Sequence, residues 1–216
     1  MERVTSGSAE IALEVSNSSF SWDDSSPIPT LRDVSFEVSH GMNVAACGTV
    51  GSGKSSLLSS VLGEVPKISE TVKVYRRKAY VPQSPWIQSG KVEDNILFGK
   101  PMEREWYQKV LEACSLNKDL ELLPFHDQTV IGERGINLSG GQKQHIYLFD
   151  DPFSAVNAHI GSHLFKEVIL GILKDKTVIY VTHQVEFLPE ADLIATNRLH
   201  LRLLYLILLQ IRLTLV

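Results

Sequence analysis

Apolar and polar positions along the chain divide it into short segments of two different periods. From Glu10 to Trp22, and again from Asp33 to Val38, β-branched and aromatic runs are separated by polar, proline-containing turns such as Asp23 to Pro29. That pattern predicts antiparallel strands. Asn43 to Cys47 is a short apolar run ending at glycine and predicts a buried strand. Lys54 to Leu62 places Leu57, Leu58, Val61 and Leu62 on one face of a helix. Thr71 to Tyr75 and Ala79 to Val81 read as strands. Glu103 to Cys114 reads as a helix with Trp106, Val110 and Ala113 at helical spacing. Ile146 to Phe149 is an apolar run closed by Asp150 and Asp151. His159 to Leu173 predicts a helix with Leu164, Val168, Ile169 and Ile172 inward, and Thr177 to Val181 a buried strand. Strands alternating with helices imply an α/β core with a parallel sheet.

Gly48-Thr49-Val50-Gly51-Ser52-Gly53-Lys54-Ser55 fits G-x-x-x-x-G-K-[ST] at every fixed position, between a predicted strand and a predicted helix. Glycines let backbone N–H groups turn inward around phosphate oxygens, and the helix N-terminus adds partial positive charge. Lys54 would reach the β- and γ-phosphates, and the Ser55 hydroxyl would bind Mg2+. Asp150, at the end of a buried parallel strand, sits where α/β sheets bind ligands. With Ser55 it would hold the same Mg2+.

Composition narrows the class. The 216 residues are 44% apolar and 21% charged, with a net charge of −4, which describes a globular chain rather than a disordered one. An acidic balance argues against binding nucleic acid through phosphate neutralisation. Cys47 and Cys114 are too few for a disulfide framework and point to a reducing compartment, with Cys47 an inert buried thiol. Residues Met1 to Ala9 form a polar lead without the apolar centre of a signal peptide. No run reaches the roughly 18 charge-free apolar residues of a membrane span, so no transmembrane segment is expected.

Leu138-Ser139-Gly140-Gly141-Gln142, taken with the phosphate loop, resembles the signature of ATP-binding cassette (ABC) proteins. Other motifs follow in that family's order. Trp22 matches the aromatic residue that stacks on adenine, Gln83 the Q-loop glutamine and His183 the switch histidine. Gly132-Glu133-Arg134-Gly135 resembles the loop that touches the membrane domains of exporters, and Ser154-Ala155-Val156-Asn157 the D-loop. The stretches Ser84 to Gly90, Asp94 to Gly99 and Tyr147 to Val156 are similar to the first nucleotide-binding domain of subfamily C transporters, the multidrug-resistance-associated group, and closest in wording to its plant members.

The resemblance implies a P-loop, RecA-like parallel sheet with helices, an N-terminal antiparallel β subdomain and a reduced helical subdomain at about residues 84–142, within a cassette at 10–195. It implies ATP contacts from Trp22, the loop Gly48 to Ser55, Ser56, Ser139, Gly140, Gly141 and Gln142. Mg2+ falls to Ser55, Gln83 and Asp150, and catalysis to Asp151, Gln83 and His183.

Four features depart from the family. Asp151 stands where most hydrolysing cassettes carry glutamate as the base, and a missing methylene withdraws the carboxylate by about an ångström. Asn157 replaces the D-loop aspartate. Between Gln142 and Asp150 the family has a helix and a loop, whereas here only Lys143-Gln144-His145 precede the strand. Three residues span about 10 Å fully extended, so either the signature is pulled inward or the strand slips, and apolar sheet surface loses cover. Finally, the family pattern stops after Ile194, and residues 196–216 form an atypical tail. From Leu199 to Val216 every odd position through Leu215 is apolar, a strand period.

The function this implies is the ATP-binding cassette of a transporter, binding Mg-ATP to power export of organic anions or conjugates. The implied setting is the cytoplasmic face of a membrane, vacuolar or plasma, and the implied partners are a second nucleotide-binding domain and transporter membrane domains. No nucleic acid is expected. As an ATPase the isolated chain is expected to be weak or inactive. Two alternatives stay open: a module that binds nucleotide without hydrolysing it, and a truncated product without transport activity.

Overall fold

The computed structural model of the chain describes residues 10–23, 25–84, 87–131, 145–154 and 156–196. These fall into two compact units, one drawn from the ranges 1–81, 144–152 and 175–216, the other from 82–143 and 153–174. The signature Ser139 to Gln142, the Gly132–Gly135 motif and the tail from Leu199 lie outside the described residues.

The first unit begins with β1 (Ile11–Phe20), β2 (Leu31–Ser39), β3 (Asn43–Cys47), α1 (Lys54–Leu62), β4 (Lys67–Val74) and β5 (Arg77–Val81). The second unit contributes β6 (Gly90–Lys91), α2 (Val92–Leu97), α3 (Arg104–Ala113), α4 (Asn117–Leu122) and β7 (Val130–Ile131). The chain then supplies β8 (His145–Asp150) to the first unit and α5 (Ala158–Leu164) to the second. It closes in the first unit with β9 (Thr177–Thr182) and β10 (Leu193–Thr196).

Two sheets build the first unit. β2, β1 and β4 form an antiparallel sheet, while β10, β3, β9, β8 and β5 form a parallel one in that order. β9 sits at the centre and all six of its residues are buried, as expected for a strand covered on both faces. One apolar cluster joins the layers: Leu13 and Val15 from β1, Val38, Val44 and Ala46, Leu58 and Val61 from α1, and Ile146, Leu148, Ile179 and Val181 from the parallel sheet.

Helix α1 starts at Gly53, which is left-handed with φ of 88°, and ends at Gly63, also at 88°. At the C-terminus, the N–H of Glu64 donates to Ser59 O and that of Gly63 to Ser60 O, so the last turn is closed by glycine geometry. Lys78, on β5, adds a cation there, donating to Val61 O and Leu62 O. Lys78, Tyr80, Ile146, Leu148 and Asp150 therefore share the α1 side of the sheet. On the other side Tyr147 and Phe149 are only half-buried and Val81 is 40% exposed. The three residues between Gln142 and Ile146 leave no length for a helix over that face. β8 nevertheless pairs in continuous register with β5 and β9 from Ile146 onward, and its last residue, Asp150, still reaches Ser55.

In the second unit, two expected helix faces are corrected. In α3 the buried positions are Tyr107 and Leu111, which pack with Leu120 of α4, and Ala113, as expected, whereas Trp106 is exposed beneath the Lys100 ammonium at 5.5 Å. Tyr107 wins the interior because its hydroxyl donates to Asp127 at 3.1 Å, satisfying its polar end. After α5 the chain continues as a π-helix over Phe165–Ile172, with Leu173 N donating to Val168 O. That wider winding turns Leu164, Val168 and Ile172 toward the margin and centres the buried stripe on Phe165, Ile169 and Leu173. Asn157, the substituted D-loop residue, caps α5 by accepting from Ile160 N at 3.0 Å.

Leu58 is fully buried where α1 meets the sheet. Leu58→Ala is expected to destabilise the fold by about 3 kcal/mol, read by urea unfolding, and a loss below about 1 kcal/mol would mean that α1 is not packed as described.

Candidate functional site

The C-terminal ends of β3, β9 and β8 lie level. Cys47 pairs with Thr182, and Asp150 with Val181. The residues that follow these ends are Gly48, His183 and Asp151, so the topology alone brings three candidate segments to one edge.

The phosphate loop joins β3 to α1. A Cβ added to Gly48 would lie 2.7 Å from Ser52 Oγ, and one added to Gly53 would lie 2.9 Å from Leu31 Cδ2. Gly51 and Gly53 are left-handed, at φ of 79° and 88°. Larger residues would fill this cradle or strain it. The Ser52 hydroxyl is buried with no protein partner, which leaves a polar group at the loop for an incoming oxygen. Lys54 Nζ donates to Gly48 O at 3.0 Å and Thr49 O at 2.8 Å, and an ammonium has a third donor to offer. Burial lowers the Lys54 pKa, and the charges of Asp151 and Asp150 oppose that shift.

Ser55 Oγ donates to Asp150 Oδ1 at 2.9 Å, a contact across 95 residues of sequence. Tyr80 reaches the other oxygen, Asp150 Oδ2, at 3.4 Å. This oxygen set suits a hard cation of the magnesium type, which takes one or two protein ligands and completes its shell with phosphate and water. Among the described residues no group of three or more His, Cys, Asp or Glu side chains could hold a metal by itself.

Asp151 is 7% exposed and has a φ of 49°, a left-handed conformation that aspartate tolerates better than most residues. Its Oδ2 lies 3.7 Å from His183 Nε2. Burial raises its pKa, while the His183 and Lys54 charges and the His183 backbone N–H partly offset this and the Asp150 charge adds to it.

The structure thus gathers Lys54, Ser55, Asp150, Asp151 and His183 in the first unit. Trp22 also belongs to this unit and is tied to Ser56. Gln83 is exposed, two residues past β5, and belongs to the second unit. Sequence reasoning passed over Tyr80, because its proximity to Asp150 depends on the β5–β8 register, in which Tyr80 faces Leu148. The alternation with Lys78 was the available signal.

The family model for ABC transporters matches residues 31–151, which take in the phosphate loop and the strand ending at Asp150. The chain belongs to the ABC transporter family. It is 78% identical over 204 residues to ABC transporter C family member 6 of Arabidopsis thaliana, covering 89% of this chain and 14% of that protein. Member 3 from the same plant is 71% identical over 206 residues, covering 90% of this chain and 14% of that protein. The C family member 13 of Oryza sativa subsp. japonica is 59% identical over 203 residues, with 88% and 14% covered. The chain therefore spans about one seventh of the length of these relatives. As an ABC cassette it is a nucleotide-binding domain, with ATP as the nucleotide that the family name implies. No helix among the described residues is long and apolar enough to cross a membrane.

Asp151 makes a pH dependence testable. A carboxyl whose folded pKa is raised weakens the fold once ionised. That penalty is absent below the ordinary value of 3.8, grows as pH rises to the higher folded value, and is complete above it. Asp151→Asn removes the charge with little change of shape. It is expected to raise the melting temperature at about pH 7 and to leave it nearly unchanged at about pH 3. A lower melting temperature at the higher pH would mean that His183 and Lys54 outweigh burial.

Proposed function

We propose that the chain is the first nucleotide-binding cassette of a subfamily C transporter, binding Mg-ATP at the edge defined by β3, β8 and β9. The observation that carries this reading is the 2.9 Å hydrogen bond between Ser55, the last residue of the phosphate-loop motif, and Asp150 at the end of β8. In the bound site, Lys54 would exchange a loop carbonyl for phosphate oxygen, and the loop's backbone and Ser52 would complete the cradle. Ser55 and Asp150, with Gln83 by family resemblance, would hold Mg2+, whose charge offsets that of the β- and γ-phosphates. Trp22 would stack on adenine, and Ser139, Gly140, Gly141 and Gln142 would face the nucleotide of a partner cassette. The proposed partners are a second nucleotide-binding domain and transporter membrane domains. The cassette would then work at the cytoplasmic face of a vacuolar or plasma membrane to power export of organic anions or conjugates.

Asp151 and His183 are the proposed polarising groups for the attacking water, assisted by Gln83. Aspartate is short for this role, and its carboxylate already lies beside His183. That observation favours a second reading, a cassette that holds nucleotide and turns it over slowly or not at all.

Lys54→Ala is expected to weaken Mg-ATP binding at least tenfold, about 1.4 kcal/mol, measured by calorimetry. Unchanged affinity would place the nucleotide elsewhere. Turnover by the chain alone should lie far below about 1 s⁻¹, an ordinary enzymatic rate. A phosphate-release assay at or above that rate would reject the slow-base reading of Asp151.

A further inference from the structure

Asp150 has two carboxylate oxygens, and the structure gives them different neighbours. Ser55 Oγ donates to Oδ1 at 2.9 Å, whereas the Tyr80 hydroxyl donates to Oδ2 at 3.4 Å. The second contact comes from the sheet rather than from the phosphate loop. Tyr80 stands on the edge strand β5 and pairs with Leu148, so Asp150 lies two residues further along β8 on the same face. An aromatic side chain is long enough to reach such a diagonal neighbour. Asp150 is buried, and a buried carboxylate keeps its place only while its oxygens have partners. The torsion that turns a carboxylate is broad and about two-fold, so nothing intrinsic to Asp150 keeps Oδ1 at Ser55. A donor on each oxygen does.

We propose that Tyr80 is a positioning residue that sets the choice of cation: by holding Asp150 Oδ2 it leaves the carboxylate one oxygen for a metal, which favours Mg2+ over Ca2+. This rests on the nucleotide-binding reading above and adds to it a residue acting through another. The physical reason lies in the coordination habits of the two ions. Calcium takes roughly six to eight oxygens at about 2.3–2.6 Å in flexible geometry and accepts both oxygens of one carboxylate. Magnesium demands a near-ideal octahedron at about 2.0–2.1 Å, into which the narrow bite of a two-oxygen carboxylate does not fit. Each carboxylate oxygen has about two lone-pair sites, so Oδ1 can accept from Ser55 and still face a metal or one of its waters. With Oδ2 released, the carboxylate can turn and offer both oxygens, and the larger ion gains. The ring of Tyr80 could serve packing alone, and phenylalanine separates the two roles because it keeps the ring and lacks the hydroxyl.

The experiment uses the full chain and calorimetry with ATP in excess Mg2+ or in excess Ca2+. The unaltered chain should bind Mg-ATP more tightly than Ca-ATP. Tyr80→Phe is expected to lower that preference about fivefold, through weaker binding of Mg-ATP, tighter binding of Ca-ATP, or both. Tyr80→Leu, which also lacks the hydroxyl, should lower it to a similar extent. In the Asp150→Asn background, Tyr80→Phe should change the preference by less than about twofold, because an amide offers a metal one oxygen whatever stands at position 80. Melting temperatures establish that each variant is folded; Tyr80 is 38% exposed, and Tyr80→Phe removes a single hydroxyl. An unchanged preference, or an equal change for both cations, would make Tyr80 a packing residue and overturn the proposal. So would a change that persists with Asp150→Asn, which would place the effect of Tyr80 on another group. If Lys54→Ala leaves ATP binding intact, the nucleotide reading itself fails and takes this proposal with it. Intact Lys54 dependence with an unmoved cation preference rejects the role of Tyr80 alone.

Discussion

Parallel pairing of β3, β9 and β8 is the constraint on which the candidate site depends. Because Cys47 is level with Thr182, and Asp150 with Val181, the chain leaves the sheet at three neighbouring points. Each exit delivers a different chemistry: a glycine loop with Lys54, a histidine and a pair of aspartates. A slip of one residue in β8 would turn Asp150 to the opposite face, away from Ser55 and α1. The pattern Ile146, Leu148 buried and Tyr147, Phe149 half-buried fixes that register through burial. The position of Asp150 is thus a consequence of packing several residues before it. This explains how a short approach from residue 142 is compatible with an intact Ser55–Asp150 contact.

The same edge stores electrostatic tension. Asp150 and Asp151 are 6% and 7% exposed, side by side, with the Lys54 ammonium as the charge that influences both this pair and the loop. Burial raises the Asp151 pKa and lowers that of Lys54. The mutual attraction of Lys54 and the carboxylates works against both shifts. Protein interiors tolerate such groups when hydrogen bonds satisfy them. Here the partners are two loop carbonyls for Lys54 and the Ser55 and Tyr80 hydroxyls for Asp150.

What could be read from the residues follows from how local each cause is. The ends of β3 and α1 were legible because Gly48, Gly53 and Gly63 punctuate them, and the loop was legible because its spacing is itself the chemistry. The α/β class followed from strand–helix alternation. The buried face of α3 was not legible, since Trp106 and Tyr107 are equally aromatic and only the reach of Tyr107 to Asp127 separates them. The π-winding after α5 came from an i→i+5 bond that no 3.6-residue period encodes. Ser56 was placed among the nucleotide contacts, yet its tie to Trp22 could not be read, because it joins two segments brought together by the antiparallel sheet and α1.

Charge arithmetic at this edge argues for how the proposed ligand must arrive. Two buried carboxylates against one ammonium give the described edge a net charge of one negative unit when all three are ionised. A triphosphate is strongly anionic, and Lys54 with the helix N-terminus offers too little positive charge to offset both it and the aspartates. The nucleotide would therefore need to bring its own cation, and Ser55 with Asp150 is where oxygen ligands for that cation already meet. In the proposed site Asp150 would repel the free nucleotide and attract its magnesium complex. The carboxylate that looks like an obstacle to phosphate binding would then be the group that selects the form in which the nucleotide is accepted.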